Sequence, residues 1–230
     1  MNQAEFALEE MALGRLVAEL AQNTPAPGGG AAAATACSLA AGLVEMSARF
    51  TLSRPEYADR PDELRGALAR AGQLRALALE LGQHELGAYA PVLEALALDG
   101  SDPERPARLS AALSEAAQTP LELARVGAEL AELGVGLART GNPNLVGDAI
   151  TGVLLAEAGC RAAACLVTIN LASAAGDQRL SEVAQLTRHA AGARQEALAL
   201  ASAKRVPRRS LNEGGHEGSR QKHGRQKDER

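Results

Sequence analysis

The chain has 230 residues and a formal net charge of −4, long enough for one large domain or two small ones. Hydrophobic residues make up 46% of it but aromatics only 2%, with no Trp, two Phe and two Tyr. That usage excludes base-stacking recognition of single-stranded nucleic acid, which needs aromatic platforms. Ala, Leu, Glu, Arg and Gly dominate over β-branched and aromatic residues, which predicts an all-α, single-domain bundle of six to eight helices.

Apolar spacing through Phe6, Leu8, Met11, Leu13, Leu16, Val17 and Leu20 predicts a first amphipathic helix ending near Asn23. The run Thr24-Pro25-Ala26-Pro27-Gly28-Gly29-Gly30 then interrupts helix, and a second helix is expected from about Ala31 to Leu52. Its residues are small or apolar almost all round, so it belongs at the centre of the bundle. Ser53 to Pro61 reads as a loop. A long helix follows from Asp62, with Pro91 permitting a break near Tyr89. Asp99 to Pro103 is a loop, and helix resumes through Leu109 and Leu113.

Thr119-Pro120-Leu121-Glu122 carries a start signal, with Thr as N-cap and Pro at the first helical position. That helix should end at Thr140-Gly141. Asn142-Pro143-Asn144 turns the chain into another small-residue helix, about Leu145 to Ala174. Gly176-Asp177 breaks it, and a last amphipathic helix runs to about Lys204. These helices form one domain, residues 1–203.

From Lys204 onward, nine Lys and Arg outweigh four acids, a net of +5 that leaves −9 on the body. Almost nothing apolar remains there to offset ordering entropy, so residues 204–230 read as a disordered basic tail. Its mixed signs suit a solvated tail better than a nucleic-acid arm. Three cysteines give no disulfide framework. Cys160 and Cys165 point to different helix faces and read as buried small hydrophobes. No secretory start precedes Phe6, and Glu45, Arg49, Glu157 and Arg161 interrupt the apolar stretches. The expectation is a soluble, cytoplasmic protein with no membrane partner.

The proline–glycine run is the most informative segment. Gly28, Gly29 and Gly30 lack Cβ atoms, and a helix opening on them presents unpaired N–H groups and a positive dipole end. Such a loop can cradle an anion or a polar heterocycle, or it can simply be a tight turn. No Lys follows, so it is not a Lys-Ser/Thr phosphate loop. Asp148 sits in the first turn of an apolar helix, where it complements the dipole or carries chemistry. Asn142 and Asn144 can shape the turn or hold a ligand. Glu157 and Arg161, one turn apart, read as a pair. Asn170 needs a partner if buried.

Pro25-x-Pro27-Gly28-Gly29-Gly30 before a small-residue helix, with Gly141-Asn142-Pro143-Asn144-Leu145-Val146-Gly147-Asp148-Ala149 and Thr168-Ile169-Asn170-Leu171 downstream, resembles the cyclodeaminase/cyclohydrolase family of folate enzymes. The resemblance spans most of residues 5–203. It implies a helical homodimer, a tetrahydrofolate derivative as substrate, and acid/base catalysis with no metal and no bound cofactor. Two reactions fit: formiminotetrahydrofolate cyclodeaminase and methenyltetrahydrofolate cyclohydrolase. It implies Asp148 as acid/base, assisted by Glu85, with Gly28, Gly29, Gly30, Asn142, Asn144 and Asn170 holding the substrate. His84 beside Glu85 reads as a proton shuttle or a solvated residue.

Three positions depart from the family pattern. Glu85 stands where an Asp is usual, Ala31 where Ser often follows the glycines, and Gly147 where Ser often precedes the Asp. They leave open an inactive helical dimer or binding module that retains the scaffold.

Overall fold

The computed structural model describes residues 8–57 and 60–203. Phe6 and the basic tail from Lys204 therefore lie outside the described residues. Eight α-helices and no strand occur among them: α1 Leu13–Leu20, α2 Gly29–Leu52, α3 Pro61–Ala88, α4 Ala90–Ala97, α5 Arg105–Ala116, α6 Gln118–Thr140, α7 Val146–Asn170 and α8 Gln178–Ala203. Short 3-10 turns cover Leu8–Glu10, Pro55–Tyr57 and Pro143–Leu145.

Small side chains set how closely the helices pack. In α2, Ala34, Cys37, Ala40, Ala41, Val44 and Ala48 are fully buried against α3, α6 and α7. A Cβ on Gly127 of α6 would come within 2.8 Å of the Ala156 carbonyl of α7, and one on Gly159 within 2.5 Å of Cys37 Sγ. Backbones meet there with no room for a methyl group, which is why Ala and Gly replace the usual aromatic filling. α8 lies parallel to α6 and is tied to it by a heptad-spaced ladder: Arg125 to Glu182, Glu132 to His189, and Arg139 to Glu196. These exposed pairs fix register more than they stabilise.

Four local expectations are revised. The first amphipathic stretch is a 3-10 turn and then α1, not one helix, because Ala12 is extended (φ −57°, ψ 132°). The chain bends there to dock Leu8: its N–H donates to Gln83 Oε1 at 2.8 Å, and its side chain packs over Gly82. The second helix opens at Gly29 rather than Ala31, with extended Gly28 as N-cap and a cis Ala26–Pro27 bond before it. Thr119 is not an N-cap. Ala117 keeps a near-helical backbone between α5 and α6, so α6 starts at Gln118 and Pro120 falls inside its first turn, where no N–H is needed. Cys165 is exposed, while Cys37 and Cys160 are buried.

Other boundaries agree with expectation, except that α7 ends at Asn170, four residues before Ala174. Tyr89 separates α3 from α4 one residue before the helix that carries Pro91. Gly176, at φ 89°, makes the turn into α8 that a Cβ would strain. Both α2 and the Pro143–Asn170 stretch are long and apolar enough to cross a bilayer, but about half of each is buried inside the bundle.

Candidate functional site

Glu85 sits in the last turn of α3, the long helix packed antiparallel to α2, and that packing aims it at the start of α2. A Cβ on Gly30 would lie 1.8 Å from Glu85 Oε2, so the carboxylate occupies the place a side chain there would take. The glycine is required by the acid as much as by the turn. Glu85 Oε1 is buried and has no hydrogen-bond partner. Burial pushes its carboxyl up to about 7. The positive end of α2, whose first turn has no side-chain cap, pulls the other way.

Around this carboxylate is a cleft of about 190 Å³ walled by Gly28, Gly29 and Gly30, by Tyr89 and Pro120, and by Leu166, Ile169 and Asn170 from the end of α7. It combines an apolar wall, a perturbed acid, one aromatic edge and backbone groups at a helix N-terminus. That set suits a flat heterocycle with polar edges. Asn170 Nδ2 donates to the Ala116 carbonyl at 2.9 Å, so this amide also ties α7 to the end of α5. His84 is exposed and does not line the cleft.

The remaining expected residues lie elsewhere in the chain. Asn142 is buried; its N–H donates to Thr51 Oγ1 at 3.0 Å and its Oδ1 accepts from the Asn144 N–H at 3.0 Å. Asn144 is exposed. Asp148 is half-buried in the first turn of α7 and has no hydrogen bond or ion pair among the described residues. It lies twenty-two positions before Asn170 on the same helix, about 33 Å away at the helical rise. Within one chain, then, Gly28, Gly29, Gly30, Glu85 and Asn170 converge, and Asn142, Asn144 and Asp148 do not join them. Glu157 pairs with Arg161, as its spacing implied, and with Arg194 of α8 at 3.7 Å.

A larger cleft, about 500 Å³, opens between the start of α3 and the end of α6. Its acids are taken up in exposed pairs, Glu129 with Arg70 and Asp62 with Arg65, and it holds no buried unpaired polar atom among the described residues. The Glu85 cleft, with its unanswered carboxylate oxygen, is therefore the candidate for chemistry. No group of three His, Cys, Asp or Glu among the described residues could hold a metal ion. Pro120 and Leu166 carried no functional signal in the sequence, since each reads as a helix start or ordinary helix packing, while Tyr89 and Ile169 stood in segments that match the family without a role assigned to them.

Comparison with known proteins gives this geometry a family. The family model described as Formiminotransferase-cyclodeaminase matches residues 12–189. The chain belongs to the formiminotransferase-cyclodeaminase family. A methenyltetrahydrofolate cyclohydrolase of Methylorubrum extorquens is 33% identical over 172 residues, covering 71% of this chain and 83% of that protein. The formimidoyltransferase-cyclodeaminase of Mus musculus is 30% identical over 171 residues, 73% of this chain but only 32% of the mouse protein. A crystal structure of formiminotetrahydrofolate cyclodeaminase from Thermotoga maritima superposes with a TM-score of 0.76 at 25% identity, covering 85% of this chain and 98% of that one. The family match begins within two residues of α1 and ends inside α8, so it takes in every wall of the Glu85 cleft.

Proposed function

We propose that this protein is a folate one-carbon enzyme, first a methenyltetrahydrofolate cyclohydrolase, in which Glu85 moves the protons. The observation that carries the reading is the buried Oε1 of Glu85, unpaired, with its carboxyl raised to about 7 beside the glycine N-terminus of α2. An acid–base group is most effective when its pKa lies near the working pH, and this one does. The Glu85 carboxylate takes a proton from water as the water oxygen adds to the methenyl carbon between N5 and N10. The protonated carboxyl then returns that proton to N5 as the carbon–N5 bond breaks, and the remaining carbinol O–H proton passes to solvent as the formyl C=O forms, leaving 10-formyltetrahydrofolate and one released proton. Tyr89 offers an edge or face to the pterin, and the Gly28–Gly30 backbone offers donors to its polar rim.

The likeness to the Thermotoga maritima enzyme favours a second reading on the same site. In a cyclodeaminase reaction at this site, N10 of a 5-formimino substrate would attack the formimino carbon and ammonia would leave, giving 5,10-methenyltetrahydrofolate. Absorbance in the methenyl band separates the two. Accelerated loss of added methenyltetrahydrofolate supports the hydrolase, and appearance of the band from the formimino compound supports the cyclodeaminase. No change with either compound would show that the chain retains the scaffold without this chemistry.

Two further parts of the proposal concern assembly and place. We assign a homodimer, because α2 and α7 leave Leu39, Phe50, Leu154 and Ile169 exposed at 51%, 53%, 36% and 68% on helices that otherwise form the core. We assign the cytoplasm, where the free thiols of Cys37, Cys160 and Cys165 stay reduced.

A further inference from the structure

The Glu85 cleft is too small for a whole reduced folate. Its volume of about 190 Å³ falls below the roughly 300–1,000 Å³ that encloses a drug-sized ligand. It has room for the pterin, and the rest of the substrate must lie on a surface that continues from it. We infer that this surface is the exposed apolar stripe of α4, which, with Arg105 at its far end, receives the p-aminobenzoylglutamate arm of the folate. This rests on the folate reading proposed above and adds the place and the side chains that hold the arm.

The stripe starts at the acid itself. Glu85, Tyr89, Leu93 and Leu96 stand at i, i+4, i+8 and i+11, the spacing of one helix side. The break between α3 and α4 does not turn that side away. Tyr89 keeps near-helical angles (φ −92°, ψ −8°), and its carbonyl accepts from the Leu93 N–H at 3.2 Å. Tyr89 also lines the cleft, so cleft and stripe share a residue. Beyond it, Leu93 and Leu96 are each 42% exposed, while Val92 and Ala95 on the adjoining side of α4 are buried. The packing of α4 is mainly with α5, and its apolar face is wider than α5 covers.

The order of groups along the stripe matches the order of groups in the substrate. The reacting carbon of a 5,10-methenyl folate bridges N5 and N10, and N10 carries the aryl ring directly. Along the helix axis Tyr89 is about 6 Å and Leu93 about 12 Å from Glu85. With the reacting carbon at Glu85, the ring therefore emerges between Tyr89 and Leu93, where the leucine side chains offer an apolar bed for its face.

Past the ring come the amide and the glutamate carboxylates, and past Leu96 comes Arg105. Its Nη2 donates to the Leu96 carbonyl at 3.3 Å, its Nε is buried with no partner, and it makes no ion pair among the described residues. The acids of the same turn are engaged elsewhere. Asp99 accepts from the Ser101 N–H and hydroxyl, Asp102 accepts from the Glu104 N–H, and Glu104 pairs with Arg108. Arg105 is left as the cation that a substrate carboxylate can meet.

Calorimetric titration of the full chain under argon, with tetrahydrofolate and with 6-methyltetrahydropterin, which lacks the arm, tests the inference. The wild type should bind tetrahydrofolate at least about tenfold more tightly than the pterin. Leu93→Ser combined with Leu96→Ser should weaken tetrahydrofolate by about tenfold and leave the pterin unchanged. Added salt should weaken tetrahydrofolate but not the pterin in the wild type and in Arg105→Lys, and Arg105→Gln should lose that salt dependence. Equal affinity of the wild type for the two compounds would overturn the inference. So would an unchanged tetrahydrofolate-to-pterin ratio in the double variant, an equal loss for both compounds, or full salt dependence in Arg105→Gln. A double variant that falls to a smaller mass in light scattering would assign the stripe to a second copy of the chain and overturn it too. A wild type that binds neither compound would sink the folate reading and the subsite with it, whereas one that binds both equally would sink the subsite alone.

Discussion

The two ends of the α2–α7 pair carry the two motifs of the sequence, and they are built in opposite ways. At the Thr51–Asn142 end the polar groups of the turn answer one another: Thr51 donates to the Ser47 carbonyl and accepts from the Asn142 N–H, and Asn142 accepts from the Asn144 N–H, while the buried, unpaired Ser47 hydroxyl lines neither cleft described above. At the Gly30–Glu85 end a carboxylate oxygen is buried and left unanswered. Leaving such a group unpaired costs on the order of 1–3 kcal/mol, so a fold keeps it only where something else repays the loss. Satisfied polar residues describe architecture, and an unsatisfied one beside open space describes a site.

The largest expected effect that can break this comparison comes from Glu85→Gln. Turnover should fall by about 10²–10⁴-fold, the usual contribution of a positioned acid–base group, in the methenyl absorbance assay. Stability should move the other way. The folded carboxyl titrates near 7 and the unfolded one near 4.5, so the native state holds the extra proton between those values. Wild-type stability therefore falls as pH rises from about 4.5 to about 7 and is flat above, by about 2 kcal/mol after discounting for partial exposure. Denaturant titrations at pH 5 and pH 8 should show that slope in the wild type and not in Glu85→Gln.

Gly30→Ala sharpens the same point with no change of chemistry. Its new Cβ would occupy the position of Glu85 Oε2, so the acid must swing away, and kcat should drop by about 10²-fold while the helical signal in circular dichroism persists. At the other end, Thr51→Val removes the acceptor for the buried Asn142 N–H. It should cost about 1–3 kcal/mol in denaturant unfolding and leave KM within about twofold, because it touches nothing in the cleft. The smallest effect belongs to His84→Ala. Exposed and outside the cleft, it should change turnover by less than about twofold, and a larger loss would put the proton path where we do not.

Much of the architecture is legible in the sequence because it follows from local rules. The dominance of Ala and Leu implies helices, Pro91 marks the α3–α4 break at Tyr89, and Gly176 marks the turn into α8 at a positive φ. Where tertiary contact overrides local preference, reading fails. Leu8 leaves the helical pattern to dock on Gly82, and Thr119 loses its capping role because Ala117 lets α5 run almost directly into α6.

The candidate site divides in the same way. Gly28, Gly29, Gly30, Glu85 and Asn170 are legible and do meet. The resemblance implied that Asp148 and Asn170 serve one substrate, yet both lie on α7, twenty-two positions apart near its opposite ends. Leu166 and Ile169 are indistinguishable from core residues until the end of α7 is seen to wall a cleft.

The most direct test of the account is the rate of methenyltetrahydrofolate loss against pH, in matched wild-type and Glu85→Gln protein, with the uncatalysed rate subtracted. The account predicts a wild-type rate that climbs as pH passes about 7 and then levels, and a Glu85→Gln rate near zero throughout. A Glu85→Gln enzyme that keeps both the rate and its pH dependence would contradict it.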